Sequence, residues 1–552
     1  MFIASAFDNP LRIQEYFNKI VRTMKRPLTE AMILLNPCFQ KASEDIVGFD
    51  KLIATEYQTN DITRRDMERS YNKMNLTTLN DNEDQLDWVQ LIKSSLARVA
   101  DRVSVDGTWN VIIMEKDINV RLNNLIKQTD KKTIANYIYY RAADKILDSI
   151  PVPDVKMKKV DPLAKYRHVP KDRKMKHIED IHSLRKPTDY PQTRMSPDGC
   201  ANFVVSKLPY VGSRMYVDID IPNVDDRKAL KEEVTEISKW IFFGFRSQLD
   251  ELNWLLPESK TAAFDKLNNI QLNVAYPDWV TDDAQLTQFY KDLDIKDTDN
   301  YMIMYEKLQN FYLDKSAAQI PDEPPRDRGD FRRFIGVTNA WYQSQMNSIT
   351  IPGGILQEPF YKSNYPLAAI FGSLGIISGH ELTHGFDDEG VQWDGIGTLN
   401  NWMDDTSKDS FNSMAQCVID EYSAFCPYDG DCLNGANTQG ENIADNGGMQ
   451  AAFKAFKAYE SLNGGDPRLP GFASIFNSEQ LFFLIFGNVW CDMEYPKEIF
   501  DNLLSHDVHS PPLYRVLGTL QNLPAFRNAF KCPIDDLYTP AEHCDVWTSR
   551  PF

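Results

Sequence analysis

The chain has 552 residues, of which 42% are hydrophobic and 25% are charged, the ordinary composition of a globular protein. Its formal net charge is -19, which argues against nucleic acid as a partner because phosphate binding requires a basic face. The lysine-rich residues 156–176 are a local exception, and we interpret them as a solvated surface insertion. Two uncharged apolar stretches, 366–379 and 481–490, are shorter than the roughly twenty residues that a bilayer requires, so we expect buried core and no membrane span.

The first half of the chain is dominated by helical periodicity. Residues 225–255 place apolar side chains at intervals of three and four, which predicts a long amphipathic helix. Residues 320–330 are rich in proline and charge, and they are the best candidate for a domain boundary. Glycine-rich turns and a short β-type run at 348–352 follow. The sequence therefore predicts a mainly α fold, with a helical domain over 1–320 and a smaller α+β domain over 321–552.

The second domain contains the stretch GHELTHGFDDEG at 379–390, in which His380, Glu381 and His384 form a His-Glu-x-x-His pattern. Pro366 suits the first turn of a helix that would continue into this pattern. On such a helix the two histidines lie on one face, one turn apart, where both imidazoles can bind one zinc ion. Glu381 lies beside them and can take a proton from the attacking water. The alternative is a core helix whose histidines are satisfied by hydrogen bonds within the protein.

A catalytic zinc ion requires a third protein ligand and one open position. The class that uses a third histidine is excluded, because Asp387 and Gly390 occupy the positions where that class has glycine and histidine. Two carboxylates remain as candidates. Asp404 lies in a loop-like stretch, whereas Glu441 opens an apolar-periodic helix together with Asp445, four residues later on the same face. One member of this pair could bind the metal while the other orients an imidazole.

Glu441 also has a structural interpretation. Thr438 precedes it by three residues, which is the spacing of a capping box at the start of a helix. The residue types and spacings favour Glu441 as a ligand but leave both the cap and Asp404 open.

Taken together, these patterns resemble the neprilysin and endothelin-converting-enzyme family of zinc endopeptidases. The resemblance rests on the stretch at 379–390 and on GENIADNGG at 440–448. It covers nearly the whole chain, and it implies a thermolysin-like zincin domain that faces a helical domain around an enclosed chamber. Four further stretches match: TNAWYQSQMNSITIPGGILQEPF (338–360), LFFLIFGNVWC (481–491), HDVHSPPLYRVLGTLQN (506–522) and CDVW (544–547).

The resemblance implies a role for each residue of the zinc site. His380, His384 and Glu441 would hold one zinc ion per chain. Glu381 would be the general base that activates water and later passes the proton to the leaving amine. Asp445 would orient one of the zinc-binding histidines through its second ring nitrogen.

The resemblance also implies residues that contact the substrate. His509 would stabilise the oxyanion, and Arg515 would hold a substrate carbonyl. Asn339 and Ala340 would pair with the peptide backbone as an added strand. An apolar pocket for the side chain that follows the cleaved bond would be formed by Ile355, Phe360, Ile377, Val489 and Trp490.

We therefore expect a zinc metalloendopeptidase that hydrolyses small peptides on the amino side of large apolar residues. One alternative is a truncated, non-catalytic relative that only binds peptides. A zinc aminopeptidase is a second alternative, but it would need an acidic site for the free amino terminus, and no Gly-x-Met-Glu-Asn-like signature lies upstream.

Family members usually begin with a cytoplasmic tail, one membrane anchor and a cysteine-bearing segment, and no part of this chain resembles that region. We expect an N-terminally truncated member of a family that acts at the extracellular face of the plasma membrane, as a type II ectoenzyme, or after secretion. By the same resemblance Cys417 should pair with Cys544, and Cys426 and Cys432 enclose five residues, which favours a local bridge. Three further cysteines would have their partners in the upstream segment: Cys200, Cys491 and Cys532.

Overall fold

A computed structural model of the chain describes residues 37–147, 197–320, 327–492 and 507–549, with gaps at 58, 61, 83–85, 102 and 429, and also residues 497, 500 and 504. The lysine-rich stretch 156–176 lies outside the described residues, and so do residues 321–326 of the predicted boundary and the side chain of Cys200.

The described part of the chain is mainly helical, which confirms the predicted fold class. Its α-helices, in chain order, are α1 (Pro37–Glu56), α2 (Met67–Ser70), α3 (Leu76–Asn82), α4 (Trp88–Ser95), α5 (Lys116–Gln128), α6 (Lys131–Leu147), α7 (Pro197–Lys207), α8 (Pro209–Asp220), α9 (Val224–Glu251), α10 (Pro257–Asn268), α11 (Asp283–Tyr290), α12 (Tyr301–Ala318), α13 (Leu367–Ile370), α14 (Ile376–Thr383), α15 (Asp405–Ser423), α16 (Gly435–Asn463), α17 (Ser478–Val489), α18 (Pro512–Gln521) and α19 (Pro524–Phe530).

Within the described ranges, two small sheets accompany the helices. Strands β1 (Asn72–Asn75) and β2 (Asn110–Ile113) form an antiparallel pair in the first half of the chain. The second sheet has the order β3-β5-β4, in which β5 (Ser348–Pro352) pairs in parallel with β3 (Gln271–Ala275) and antiparallel with β4 (Trp341–Gln343). The prediction of a β-strand at 348–352 is confirmed, and β4 is an edge strand of its sheet.

Helix α9 is the amphipathic helix that the sequence predicts at 225–255. Its buried face includes Val234, Ile241, Phe245 and Leu249, whose spacing of seven, four and four keeps them on one side of the helix. Burial of each such side chain stabilises the fold by roughly 1.5–3 kcal/mol. Asn223 caps the helix by accepting hydrogen bonds from the first backbone amides. This face packs against α14 and α16, so α9 supports the two helices of the candidate site.

The helix that carries the histidines begins directly after Pro366, as predicted. Helix α13, a π-helical segment at Phe371–Gly375 and α14 follow one another without interruption, and His384 is the C-cap of this run, with helical dihedral angles and a backbone hydrogen bond to His380. Residues 368–379 are buried, which confirms the interpretation of this apolar stretch as core. The second apolar stretch is buried on one face only, because Leu484 of α17 is 41% exposed.

Helices α14 and α16 cross with their backbones in contact. A Cβ atom on Gly448 would lie 2.4 Å from the backbone nitrogen of His380, and a Cβ on Gly379 would lie 2.6 Å from the carbonyl oxygen of Gly448. Only glycine permits this approach at both positions. The crossing places Glu441, two turns before Gly448, beside the histidines of α14.

The core extends across the predicted domain boundary at 320 and 321. Buried residues of α9 and α10 belong to the same hydrophobic cluster as those of α14, α16 and α17, and the second sheet joins β3 to β5 across the boundary. The domain division stays a prediction. Among the described residues, no helix has both the length and the apolar character that a bilayer crossing requires.

Two disulfides tie the second half of the chain together. Cys417 on α15 is bonded to Cys544, and Cys426 is bonded to Cys432, so both predicted pairings are confirmed. Cys491 and Cys532 have free thiols, of which the first is exposed.

Candidate active site

Three side chains from two helices converge at one point. His380 Nε2 lies 3.0 Å from His384 Nε2, and Glu441 Oε2 lies 3.2 Å and 3.5 Å from these two nitrogens. In a tetrahedral zinc site with bonds of about 2.0–2.1 Å, neighbouring ligand atoms are about 3.3 Å apart. The observed separations are therefore those of a ligand triangle around one ion.

The outer nitrogens of both imidazoles are held by carboxylates. His380 Nδ1 lies 2.8 Å from Asp445 Oδ1, and His384 Nδ1 lies 2.6 Å from Asp387 Oδ2. When each Nδ1–H donates a hydrogen bond to its carboxylate, the neutral form of the imidazole directs its Nε2 lone pair at the centre of the triangle. Two lone pairs and a carboxylate oxygen that face one another repel unless a cation lies between them.

The environment of Glu441 also indicates a cation-binding site. Its Oε2 atom is buried and has no hydrogen-bond partner among the described residues. Burial alone would raise the pKa of Glu441, but the two imidazoles, within 3.5 Å of Oε2, hold that pKa well below its ordinary value. A buried anionic oxygen beside two imidazole nitrogens matches the donor set of zinc enzymes, so the residues fit this metal.

Glu381 lies on α14 beside the ligands and lines the same cavity. Its side chain is buried, and burial raises the pKa of this carboxyl above its ordinary value, although the nearby imidazoles oppose the shift. A raised pKa makes the carboxylate a stronger base and also a usable proton donor. Glu381 can therefore both take and return a proton.

Asp445 is held from its other side by Arg515. The guanidinium donates from Nε and Nη2 to the two carboxylate oxygens at 2.7 Å and 2.6 Å, and it stacks on the ring of Trp490 at 3.7 Å from the centroid. Burial would raise the pKa of Asp445, but Arg515 and His380 lower it to about 2. In this structure Arg515 lines the cavity and fixes the carboxylate that orients His380, and its contact with a substrate carbonyl stays a prediction.

His509 approaches the ligand triangle from the segment before α18. Its Nδ1 lies 2.7 Å from Asp507 Oδ1, and its Nε2 lies 3.3 Å from Glu441 Oε2. The side chain is 45% exposed and lines the cavity. As an imidazolium it would donate from Nδ1 to Asp507 and from Nε2 into the cavity.

Asn339 and Ala340 directly precede the edge strand β4 and line the cavity. Asn339 Oδ1 accepts a hydrogen bond from the backbone amide of Ala340 at 2.9 Å. The pairing of these two residues with a substrate backbone stays a prediction, but β4 has an edge on which an extended peptide can add a strand.

The cavity has a volume of about 460 Å³. Its wall includes all the residues predicted for the zinc site and the substrate contacts except Asp445, which lies behind His380. The predicted apolar pocket is thus part of the same cavity, and its members are Ile355, Phe360, Ile377, Val489 and Trp490.

The structure also decides between the interpretations that the sequence left open. Asp404 is the N-cap of α15, where its oxygens accept hydrogen bonds from Ser407 and Ser259, and it is not part of the ligand triangle. The capping-box interpretation of Glu441 is wrong, because α16 begins one turn earlier and its N-cap is Asn434. Thr438 instead donates its hydroxyl hydrogen to the carbonyl oxygen of Asn434.

Asp387 is the site residue that the sequence analysis did not assign. It accepts from His384 Nδ1, and its second oxygen accepts from the backbone amides of Glu389 and Gly390. A carboxylate three residues after a metal-binding histidine is within reach of that imidazole, and this spacing was the available signal.

The comparisons with known proteins agree with this geometry. Sequence models of peptidase family M13 match residues 9–277 and 339–546. The chain is 30% identical over 539 residues to neprilysin-11 of Caenorhabditis elegans, and this match covers 97% of this chain and 59% of that protein. It is 29% identical over 484 residues to endothelin-converting enzyme 1 of Homo sapiens, which covers 88% of this chain and 58% of that protein. The chain thus spans about three fifths of the length of these relatives.

Solved structures show the same fold. The zinc metalloprotease ZMP1 of Mycobacterium tuberculosis, in complex with an inhibitor, superposes with a TM-score of 0.76 at 23% identity and covers 99% of this chain and 77% of that chain. A Haemonchus galactose-containing glycoprotein complex superposes with a TM-score of 0.73 at 27% identity and covers 98% and 75%. The sequence matches and the shared fold lead to one conclusion: this chain belongs to peptidase family M13, whose members include the neprilysins and endothelin-converting enzymes.

Proposed function

We propose that this chain is a zinc-dependent endopeptidase that hydrolyses small peptides on the amino side of large apolar residues. The observation that carries the proposal is the convergence of His380, His384 and Glu441 at 3.0–3.5 Å, with Glu381 beside them in one cavity. Relatives named neprilysin and endothelin-converting enzyme support peptides as the substrate class.

The two imidazoles and Glu441 would hold the zinc ion, which when bound would polarise the scissile carbonyl and make water at the site more acidic. The protein side chains perform the proton transfers. The Glu381 carboxylate accepts a proton from the water whose oxygen attacks the carbonyl carbon. It then returns this proton to the amine nitrogen as the C–N bond breaks. A base in this position typically contributes a factor of about 100 to 10,000 in rate.

Two further groups support this chemistry. His509, held through Nδ1 by Asp507, presents Nε2 to the cavity and would donate to the oxygen that gains negative charge. Asp445 and Arg515 form a buried pair that keeps His380 in the tautomer and orientation that a ligand requires.

The cavity wall supports the substrate preference. The side chains of Ile355, Phe360 and Ile377 are apolar and adjoin the catalytic residues, so a large apolar side chain would gain more from binding there than a small or charged one. The neighbouring edge strand β4 would hold the peptide backbone in an extended conformation, which exposes one peptide bond to attack.

Purified chain tests the proposal through its zinc content and its hydrolysis of peptides blocked at the amino terminus. We expect one zinc ion per chain, cleavage before large apolar residues, and loss of turnover with retention of zinc in Glu381→Gln. Zinc without any turnover in the unchanged chain would favour the non-catalytic peptide-binding relative. Cleavage restricted to free amino termini would favour the aminopeptidase.

We also propose that the chain acts in an oxidising compartment, at the extracellular face of the plasma membrane or after secretion. The two disulfides support this, because such bonds persist outside the reducing cytosol. Labelling of intact cells with a membrane-impermeant reagent tests the location. Recovery of the protein only after lysis, with all cysteines reduced, would contradict it.

A further inference from the structure

Arg65 connects the two segments that supply the metal ligands. It lies in the short helical turn Thr63–Arg65, in the first half of the chain, and only 8% of the residue is exposed. Its Nη1 donates to Asp388 Oδ2 at 2.8 Å, and its Nη2 donates to the carbonyl oxygen of Asn437 at 2.5 Å. Asp388 follows His384 by four residues, and Asn437 precedes Glu441 by four residues. One guanidinium therefore bonds to both ligand-bearing segments, one turn from a ligand in each.

The backbone around Arg65 is bonded to the same region. Gln392 donates from its side-chain nitrogen to the carbonyl oxygen of Arg65 at 2.6 Å, and its side-chain oxygen accepts from the backbone amide of Met67 at 2.6 Å. Asn437 in turn donates to the carbonyl oxygen of Asp507 at 2.8 Å, in the segment that carries His509. The contacts of Arg65 and of the residues bonded to it thus extend to the loop after His384, to the first turn of α16 and to the segment that carries His509.

The ion pair between Arg65 and Asp388 packs directly on the backbone of α16. A Cβ atom on Gly440, the residue before Glu441, would lie 2.9 Å from Asp388 Oδ1 and 3.2 Å from Arg65 Nη1. A side chain at this position would displace one of these two groups. The pair therefore limits how far the loop after His384 and the first turns of α16 can move relative to each other.

We propose that Arg65 is a positioning residue for the metal centre, which sets the separation between the histidines of α14 and Glu441 of α16. The inference rests on the proposed zinc site. The guanidinium suits this function because its planar fork can donate to two acceptors in fixed directions, which an ammonium cannot do. Without it, the buried carboxylate of Asp388 loses its cation, and the two segments lose their common partner.

Zinc affinity of the 552-residue chain, measured by competition with a chelator, tests the inference. In Arg65→Met we expect the zinc Kd to rise by about 10- to 100-fold, the usual effect of removing a group that orients metal ligands. The visible absorption of the Co²⁺-loaded protein should also change, since it reports ligand geometry. Arg69→Met is the matched control, because Arg69 lies four residues later and the described hydrogen bonds of its guanidinium run to Glu115 and Thr63, neither of which contacts a ligand.

Arg65→Lys separates geometry from charge and keeps the test valid if the methionine variant does not fold. Lysine retains the cation beside Asp388 but cannot reproduce the fork, so we expect a raised zinc Kd and an altered Co²⁺ spectrum here too. A zinc Kd in Arg65→Lys equal to that of the unchanged chain would overturn the inference. Equal effects of Arg65→Met and Arg69→Met would also overturn it. An unchanged chain that binds no zinc would reject the proposed function itself, and with it the positioning of a metal site.

Discussion

Replacing Gly448 with alanine should damage the metal site without unfolding the protein. The added Cβ would lie 2.4 Å from the backbone nitrogen of His380 and 2.6 Å from the carbonyl carbon of Gly379. Non-bonded heavy atoms pack at about 3.5 Å, so the two helices would have to separate by roughly 1 Å. The atoms that the Cβ meets belong to helix backbone, which cannot rotate away as a side chain can.

The expected changes in stability and in zinc affinity can each be estimated from this displacement. Overpacking of this size costs about 1–3 kcal/mol, and the helix propensity of alanine offsets about 1 kcal/mol of that cost. The free energy of unfolding should therefore fall by at most roughly 2 kcal/mol. Metal ligands tolerate displacements of only about 0.2 Å, so a separation of 1 Å between the histidines and Glu441 should weaken zinc binding at least 10-fold.

Chelator competition for zinc and denaturant unfolding of the metal-free protein measure the two effects separately. Gly487→Ala in α17 is the matched control, because among the described residues no atom beyond the adjacent backbone of its own helix lies within 4 Å of a Cβ added there. This control should keep the zinc affinity of the unchanged chain and should not lose stability. If Gly448→Ala binds zinc as tightly as Gly487→Ala, then contact between the two backbones does not set the ligand geometry.

Three further predictions concern other parts of the chain. Asp404→Asn should leave zinc affinity unchanged, whereas Glu441→Gln should lower it at least 10-fold. Hydrogen bonds from two serines lower the pKa of Asp404 from 3.8 to about 2. In unfolding curves measured against pH, this carboxylate should therefore stabilise the fold above about pH 4 and lose that effect as the pH falls towards 2. Joint replacement of Cys417 and Cys544 by serine should lower the free energy of unfolding by about 2–5 kcal/mol in denaturant titrations, because the bond joins residues 127 positions apart. Phe360→Ala should lower kcat/KM about 10-fold more for peptides with a large apolar residue after the cleaved bond than for peptides with alanine there.

For each of these predictions, a specific experimental outcome would contradict it. Equal loss of zinc from the Asp404 and Glu441 variants would reject the ligand assignment, and an unfolding curve of Asp404→Asn with the same acid dependence as the unchanged chain would reject the pH argument. Replacement of Cys426 and Cys432, which are 6 positions apart, should cost less than replacement of the long-range pair. A uniform loss of kcat/KM for all peptides in Phe360→Ala would place this side chain outside the pocket.

The spacing of residues along the sequence was sufficient to predict the features that lie within one helix or strand. The four-residue interval between His380 and His384 placed both imidazoles on one helical face, and Pro366 marked the start of that helix. The intervals of three and four predicted α9, and the short β-type run predicted β5. These patterns depend on the 3.6-residue helical turn and the two-residue strand repeat, which any segment carries in its own sequence.

The choice between the two candidate carboxylates is different, because it depends on which of them the tertiary structure brings to the histidines. Asp404 and Glu441 are both acidic residues downstream of the histidines, and the local patterns favoured Glu441 without excluding Asp404. The contact of Gly379 with Gly448 brings α16, and with it Glu441, to the histidines, while Asp404 is used as a helix cap. Convergence of distant segments depends on how helices pack, and packing is a property of the surfaces of both partners rather than of either segment alone.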